Sequence, residues 1–339
     1  MSTKFRNTVS LAILLAISVP GRAGAQVELG TRASGMAGAF VAVADDASAV
    51  YWNPAGIATG SLISVIVSAG SGTSAPGPPE PASGERSTGR IVALSATAIG
   101  LAYYGLGTYG TSAPAPAVTG LPGREDVRRS VHAVTTSVAA VSLLQSLSEH
   151  LIVGVTPKLI RGSALLGEST ALDVHDALDA ARDLRGPAST RFDVDAGAMF
   201  YANGVRVGIV GRNLTAPSFD QNGVAENEIE LGRELRIGAA WGSGGTGTAR
   251  LVIAADGDVL ARDTPLGARR DLAAGVETWW RDRRLGLRGG IRQSTIGAAR
   301  AAVAAGVSAG LSPGLLLEAH AVRGQDGERS WSVGARMSY

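Results

Sequence analysis

Apolar and polar residues alternate with a period of two along most of the chain after residue 60. Near the C-terminus the alternation is unbroken, with Trp331, Val333, Ala335, Met337 and Tyr339 separated by small or polar residues. Successive residues of a strand face opposite sides of a sheet. The pattern therefore predicts β-strands that have one apolar face and one polar face.

The polar face distinguishes a membrane barrel from a soluble sandwich. A soluble sandwich usually turns many Lys and Glu residues to water, whereas here single charges stand among glycines, as in the run from Leu285 to Arg292. Strands of an outer-membrane barrel turn apolar residues to lipid and polar residues to the lumen. The sequence thus predicts an all-β fold, a transmembrane antiparallel β-barrel in the bacterial outer membrane.

Turn signals divide the chain into about 14 such segments, most of them near the 9 to 11 residues of a tilted spanning strand. The predicted strands are 61–69, 90–96, 98–109, 128–143, 151–163, 190–201, 205–213, 231–241, 248–256, 270–280, 285–292, 300–310, 315–323 and 330–339. Connections after odd-numbered strands are mostly long, and those after even-numbered strands are short. This predicts long outer loops, short periplasmic turns and both termini in the periplasm.

Aromatic residues at the ends of the predicted strands agree with this orientation. Four of them end downward strands and are expected at the periplasmic interface: Tyr201, Trp241, Trp280 and Tyr339. Phe192 and Trp331 begin downward strands and are expected in the outer aromatic girdle. Ordinary core packing is the alternative for each one taken singly.

The first 25 residues have the features of a signal peptide. Lys4 and Arg6 form a basic start, an apolar stretch follows from Val9 to Val19, and Ala23 to Ala25 form an A-x-A cleavage signal. The apolar stretch is shorter than the roughly 20 residues of a spanning helix. We expect a mature chain that begins at Gln26; an anchor that is never cut is the alternative.

Composition excludes several classes of function. The chain has no cysteine, which rules out disulfides, cysteine-bound zinc and thiol catalysis. Lys and Arg number 31 against 29 Asp and Glu, without a basic stripe, so no nucleic-acid partner is expected. The mature chain also lacks an uninterrupted apolar run of about 18 residues, which argues against membrane-spanning helices.

The sequence also argues against an enzyme. The four histidines are scattered without metal-ligand spacing, and Asp256-Gly257-Asp258 is too short for a calcium loop. His320 faces the predicted lumen, but no serine is related to it by spacing, so a hydrogen-bonded lumen histidine is the default. We expect no metal, no cofactor and no catalytic residues.

The last strand carries an assembly signal. Ser332 to Tyr339 fits the pattern polar, any, Gly, any, any, apolar, any, terminal aromatic, with Gly334, Met337 and Tyr339 at the defining positions. The pattern resembles the signal by which the outer-membrane assembly machinery recognises barrels. The resemblance implies that this machinery is a partner of the chain.

The segment from Leu29 to Ala58 is dense in small residues and lacks strand alternation. Small residues allow backbones to pack closely. The run from Gly30 to Gly56, GTRASGMAGAFVAVADDASAVYWNPAG, resembles the N-terminal hatch of the FadL-type outer-membrane hydrocarbon transporters and of the related PorV-like barrels. The motif positions are Gly35, Met36, Gly38, Phe40, Asp45, Asp46, Asn53, Pro54 and Ala55. Ala37 stands where the family motif has glycine.

The resemblance implies a 14-stranded barrel whose lumen is plugged by the hatch. The expected organisation is a signal peptide at 1–25, a small N-terminal hatch at 26–60 and the barrel at 61–339. In the transporters a long-chain fatty acid or other hydrophobic compound is captured among the outer loops and leaves sideways, into the lipid, at a kinked strand. Gly100, Gly105 and Gly107 of the third strand fit such an exit; a barrel that is rich in glycine everywhere is the alternative.

Three further alternatives stay open at this stage. The barrel either transports a hydrophobic compound or, like PorV, binds or shuttles secreted proteins without transporting a solute. Asn53-Pro54 belongs either to a hatch that moves or to a rigid turn. Asp45 and Asp46 either pair with lumen arginines (Arg206, Arg288 or Arg336) or cap the following short helix.

A helix is expected in the third outer loop. Val174, Leu178, Ala181 and Leu184 recur at helical spacing between residues 173 and 184. The segment is interpreted either as a capture helix or as a solvated helix that packs on the barrel mouth.

Overall fold

A computed structural model describes residues 28–75, 83–116, 127–243, 251–264, 267–281, 283–297, 300–325 and 327–339. The predicted signal peptide and the first two residues of the predicted hatch lie outside the described residues. So do parts of the outer loops after the first and third strands.

Within these ranges, 14 long antiparallel strands form a closed barrel, as the alternation predicted. They are β1 Ile63–Ser74, β2 Gly84–Ala96, β3 Ile99–Thr111, β4 Val127–Ser146, β5 Leu151–Ser169, β6 Ser189–Ala202, β7 Val205–Arg212, β8 Glu234–Gly242, β9 Leu251–Asp258, β10 Asp271–Trp280, β11 Leu285–Ser294, β12 Ala301–Ser312, β13 Leu315–Gly324 and β14 Arg329–Ser338. The barrel closes because β1 pairs with β14, from Ser64 opposite Ser338 to Thr73 opposite Arg329.

The two faces of the strands follow the predicted alternation. In β7, Val205, Val207 and Ile209 are exposed, whereas Arg206 and Arg212 are buried. Large apolar side chains thus form the outer surface and the charged ones point into the lumen. This distribution is that of a barrel surrounded by lipid.

Connections at one end of the barrel are short and those at the other end are long. Residues 203–204 and 313–314 join neighbouring strands in tight turns, with Asn203, Gly204 and Gly314 at positive φ. The opposite end carries a helix, Val174–Asp183, and the short strands Ala115–Pro116, Ser218–Gln221, Val224–Glu230, Arg262–Thr264 and Gly267–Arg269. The described part of the chain contains no helix that is long and apolar enough to span a membrane.

Three short helices form the hatch inside the barrel: α1 Thr31–Gly35, α2 Ala49–Trp52 and the 3-10 helix Pro54–Thr59. Apart from Asp45, every residue from 29 to 57 is buried. Buried apolar residues of the hatch, such as Phe40 and Trp52, join apolar lumen-facing residues of the wall in one core.

The outer-loop helix, α3 (Val174–Asp183), lies against the outside of the barrel wall above the lipid-facing band. Its buried Leu178 and Ala181 face the outer end of the wall, where a Cβ added at Gly84 of β2 would lie 3.4 Å from a Leu178 methyl group. The side chain of Asp173 accepts a hydrogen bond of 2.7 Å from the His175 amide and caps the helix. The helix therefore packs on the wall instead of extending into solvent.

The aromatic residues follow the predicted orientation with one exception. Trp241, Trp280 and Tyr339 are exposed at the end with short turns, and Phe192 and Trp331 are exposed toward the other end. Tyr201 does not face lipid, so that prediction is wrong. Its neighbour Phe200 takes the outward position, because consecutive strand residues alternate, and Tyr201 stacks on His150.

Candidate functional site: the hatch and its charged contacts

The family motif residues of the hatch fit against glycines of the wall. A Cβ added at Gly35 would lie 3.2 Å from the Cα of Gly306, and one added at Gly275 would lie 2.8 Å from the Cβ of Met36. Gly38 has a φ of 82°, in the left-handed region that favours glycine. The small residues of the motif therefore allow the hatch backbone to lie directly against the barrel.

Ala37, the departure from the family motif, also has a left-handed backbone, with a φ of 54°. An L-residue with a side chain is disfavoured there by about 1–2 kcal/mol. The Ala37 methyl group packs beside Ala302, Ala304 and Val322 of the wall. Burial of this methyl group offsets part of the backbone penalty.

Asn53 connects two parts of the hatch to the wall. Its Nδ2 donates to the carbonyls of Val41 (3.1 Å) and Ala198 (3.2 Å), while its Oδ1 accepts from the Ala55 amide (3.2 Å). Pro54 begins the 3-10 helix, where its missing N–H has no partner to lose. These contacts join the turn between α2 and the 3-10 helix to the wall, and whether the hatch moves stays a prediction.

A network of charges, here called the lumen cluster, joins the hatch to the wall. The guanidinium of Arg32 donates to Glu277 from Nε (2.9 Å) and Nη2 (2.6 Å), and also contacts Asp45 and Asp46. The members of the lumen cluster are Arg32, Asp45, Asp46, Arg206, Glu277, Arg288, Glu318 and Arg336. The cluster neutralises buried charges that would be costly if they stood alone.

The wall side of the lumen cluster is a chain of alternating charges. Arg288 bridges Glu277 (2.8 Å) and Glu318 (3.1 Å), and Arg336 contacts Glu318 at 3.0 Å. The inward charges Arg288, Arg336 and Glu277 are therefore all paired. The sequence did not identify Arg32 or Glu318 as their partners, although Arg32 lies in the hatch motif and Glu318 alternates in phase with the lumen-facing His320.

Asp45 and Asp46 divide the two predicted roles between them. Asp45 contacts Arg32 and also Arg206, at 3.4 Å. Asp46 accepts hydrogen bonds from the amide (2.9 Å) and the hydroxyl of Ser48 at the start of α2, and contacts Arg32 at 3.2 Å. The predicted pairing with a lumen arginine is therefore present for Asp45, through Arg206, whereas Asp46 pairs with Arg32 of the hatch itself and stabilises the turn into the helix.

The surrounding charges keep both partners of the Arg32–Asp45 ion pair ionised. Burial by itself raises the pKa of Asp45, but the guanidinium groups of Arg32 and Arg206 outweigh burial and leave that pKa below its ordinary value. Burial by itself lowers the pKa of Arg32, and the carboxylates of Asp45 and Glu277 raise it well above its ordinary value. Both partners are charged across the physiological pH range.

Two further contacts hold the middle of the hatch. The carboxylate of Asp256 accepts hydrogen bonds from the amides of Phe40 (2.7 Å) and Val41 (2.8 Å). The guanidinium of Arg212 lies 4.4 Å from the centre of the Tyr51 ring and contacts Glu234. Charged wall residues therefore bind backbone amides and an aromatic ring of the hatch as well as its charged side chains.

A small pocket of about 60 Å³ borders the outer side of α2. Its apolar lining includes Leu106, Val134, Ile160 and Leu231, together with the rings of Tyr51 and Tyr104. Lys158 and Arg212 lie at its polar side. Lys158 is neutralised by Asp193 (3.0 Å) and Asp195 (2.7 Å).

The glycines of the third strand have two different settings. Gly100 faces the lumen, where an added Cβ would meet Val50 and Ile57 of the hatch. Gly105 and Gly107 face outward, and an added Cβ at Gly105 would lie 3.0 Å from the Nε of Arg90. Strand β3 pairs continuously with β2 and β4 over residues 99–111, so it is straight and closed in this conformation.

The wall is interrupted instead between β4 and β5. Within the continuously described stretch 127–243, the ladder runs from Ala140 opposite Lys158 directly to Leu143 opposite Val155. Pro157 lies in the gap and has no N–H to donate. On the lumen side, the hydroxyls of Ser142 and Thr156 span the gap with a hydrogen bond of 2.7 Å.

An apolar groove runs along the outside of the wall beside this gap. Its volume is about 730 Å³. It follows one cross-strand row, from Leu143 and Val155 past the small residues Ala196 and Gly211 to Leu235. Ala196 and Gly211 are small and leave this space empty, while the larger side chains of Val155 and Leu235 bound it on either side.

The remaining sequence predictions concern chemistry and assembly. His320 Nδ1 lies 2.7 Å from the Ser332 hydroxyl, which donates to Thr31 of the hatch, so this histidine belongs to a lumen network. Among the described residues, no group of His, Asp and Glu side chains could hold a metal ion. Gly334, Met337 and Tyr339 lie on β14, which closes the barrel against β1, and their role as an assembly signal stays a prediction.

Three solved barrels resemble this chain over nearly its whole length. A FadL homologue of Pseudomonas aeruginosa superimposes with a TM-score of 0.57 at 14% identity, covering 93% of this chain and 100% of the other. The monoaromatic hydrocarbon channel CymD gives 0.60 at 12% identity, over 93% and 98%. The toluene transporter TodX of Pseudomonas putida gives 0.58 at 12% identity, over 94% and 99%.

The chain has the FadL-type fold. Together with the lipid-facing apolar band, this fold makes the protein a bacterial outer-membrane β-barrel, and the resemblance found in the hatch motif is confirmed at the level of the fold. A family model described as "F plasmid transfer operon, TraF, protein" matches residues 127–258, which is less than half of the FadL-type barrel. A search of curated proteins found no match.

Proposed function

We propose that this barrel is a passive outer-membrane channel for small hydrophobic compounds and has no enzymatic activity. One observation carries the proposal: an apolar-lined pocket lies on the outer side of a hatch that fills the lumen. A solute that enters this pocket leaves water, which is worth about 25 cal/mol per Å² of apolar surface. CymD and TodX, which share the fold, are hydrocarbon channels.

The size of the pocket favours compact solutes over long-chain fatty acids. At about 60 Å³ in this conformation it is smaller than the roughly 150 Å³ of a cavity that binds benzene, so even a single ring requires the pocket to enlarge. Lys158 and Arg212 at its polar side already have carboxylate partners, so they do not demand an anionic ligand. A monoaromatic hydrocarbon, which requires the smaller enlargement, is therefore the proposed ligand class, and a long-chain fatty acid requires a much larger one.

The solute is proposed to leave sideways, because the lumen below the pocket is filled and charged. Gly100, Gly105 and Gly107 remain one proposed exit. The interruption at Pro157 is a second, and it is supported by the missing ladder hydrogen bond and by the apolar groove directly outside. A Ser142–Thr156 hydrogen bond spans the gap, and the ladder pairs Ala140 with Lys158 and Leu143 with Val155 on its two sides.

Uptake of a labelled monoaromatic compound into cells or vesicles containing the barrel tests the proposal. Pro157→Val restores an N–H at the gap and should reduce uptake at least fivefold if the solute leaves there. The double variant Gly105→Val and Gly107→Val should have the same effect if the exit is at β3. Val303→Ile, which changes an exposed outward residue of β12 away from the groove and keeps the ladder, is the matched control.

The alternative is a barrel that binds secreted proteins without transporting a solute. Unchanged uptake in both exit variants, and also in Asn53→Ala with Pro54→Ala, would favour this alternative. Heat-modifiable migration of each variant on unboiled gels shows whether its barrel has assembled, so loss of uptake and loss of folding are distinguished.

A further inference from the structure

Two arginines stand side by side on the outer surface of the barrel, just above its aromatic girdle. Arg323 of β13 lies directly opposite Arg329 of β14 in the antiparallel ladder. Both side chains are exposed, and Arg329 shares the outward face of Trp331, which is 56% exposed. Two residues along a strand is about 7 Å, so the pair lies one step above the girdle, where lipid headgroups begin.

This outer arginine pair, Arg323 and Arg329, has an unfavourable arrangement unless an anion is present. Like charges directly opposite each other on a sheet repel. Neither arginine makes an ion pair or side-chain hydrogen bond with any described residue. Glu328, the described acid next to Arg329 in the sequence, contacts Arg292, and that contact is partly buried on the lumen side.

The lumen of the same barrel shows the opposite arrangement. Arg32, Arg288 and Arg336 each contact a carboxylate. Charged residues that are close together inside this protein are therefore compensated, while the outer arginine pair is left open on the face that meets the membrane. The pair needs a partner that the membrane itself supplies.

We propose that the outer arginine pair binds the phosphate of a phosphorylated lipid in the outer leaflet, namely the lipid A part of lipopolysaccharide. Two guanidinium groups on facing strands present paired donors, which suit the oxygens of one phosphate. Thr73, which lies opposite Arg329 on the other side, adds a hydroxyl to the same row. The Trp331 ring below contacts the region where the acyl chains begin.

The outward setting also fits a lipid better than a soluble anion. Val333 of β14 and Leu317 of β13 continue the same outward faces below the pair and are 53% and 47% exposed. A ligand that contacts both the arginine pair and the apolar residues below it must carry a phosphate and hydrocarbon chains in one molecule. A soluble phosphate would gain from the arginines alone.

The test is native mass spectrometry of the purified full chain in detergent with added lipid A. The double variant Arg323→Gln and Arg329→Gln should reduce the lipid-bound fraction at least tenfold relative to wild type. The matched control, Arg281→Gln with Arg284→Gln, removes two exposed arginines at the periplasmic end and should leave binding unchanged. Lysine at both outer positions should restore part of the binding, because it keeps the charge but not the paired donors.

Three results would each overturn the proposal. They are unchanged lipid A binding in the outer double variant, an equal loss in the periplasmic control, and equal binding of dephosphorylated lipid A. A fourth arm adds inorganic phosphate. Displacement of lipid A by equimolar phosphate would identify a general anion site and would also refute a lipid site. Heat-modifiable migration confirms that each variant is folded.

Discussion

Arg32 offers the sharpest test of how the hatch is held. Replacing it with methionine keeps much of the side-chain volume and removes the charge that joins α1 to the wall. The substitution removes the hydrogen bonds to Glu277, at 2.9 and 2.6 Å, together with the contacts to Asp45 and Asp46. We expect the hatch to be destabilised while the barrel remains assembled.

The expected loss of hatch stability depends on the buried carboxylates that lose Arg32 as a partner. Removing one partner of a buried ion pair costs about 3–5 kcal/mol. Glu277 still contacts Arg288 at 2.8 Å, and Asp45 still contacts Arg206 at 3.4 Å. The loss of stability should therefore lie at the lower end of this range. About 3 kcal/mol corresponds to a roughly 150-fold increase in the population of the open hatch.

Hydrogen exchange followed by mass spectrometry measures this population directly. In Arg32→Met, amides of the hatch should exchange roughly 150-fold faster, while those of the barrel strands should be unaffected. Arg161→Met is the matched control, because Arg161 is exposed on the outer surface of β5. Exchange within threefold of wild type in Arg32→Met would show that the lumen cluster does not hold the hatch.

Three further predictions concern the hatch and the last strand. Phe40→Ala removes a fully buried ring and should destabilise the hatch by about 3–5 kcal/mol, measured by the same exchange. Asp45 has a lowered pKa, so its contribution to hatch stability is fully present above the ordinary aspartate pKa of 3.8 and is lost as the pH falls through the lower, folded-state value. Protection of the hatch amides, which is their exchange rate relative to that of an unfolded peptide at the same pH, should therefore fall in acid, and less so in Asp45→Asn. Deleting Tyr339, whose amide donates to the Ile63 carbonyl at 2.9 Å where the barrel closes, should reduce the heat-modifiable fraction much more than Ser338→Ala does.

The sequence alone determined the number of strands, their faces and the end of the barrel at which the short turns lie. These features are local, because a strand between lipid and lumen repeats its requirement every two residues, and a turn is marked by its own residues. Arg206 and Val207 therefore indicated their sides without knowledge of any partner. The error at Tyr201 has the same local origin, since a shift of one residue exchanges the two faces and Phe200 took the lipid side.

The hatch was recognisable for a different reason. Its long motif of small residues is specific enough to identify, although the sequence could not show what each residue meets. Gly35 contacts Gly306, and Met36 contacts Gly275, only because the barrel closes around them. The requirement for a small residue is visible in the sequence, but the neighbour that imposes it is not.

The contacts that hold the site were decided by the tertiary structure. Arg32 and Glu277 are separated by 245 residues, and several other carboxylates were available to the same arginine. Closure of the barrel selects the partner, because register and curvature bring one carboxylate within hydrogen-bond distance and exclude the rest. The gap at Pro157 and the exposed pair Arg323 and Arg329 have the same origin, since a missing hydrogen bond or an opposed charge exists only relative to the strand beside it.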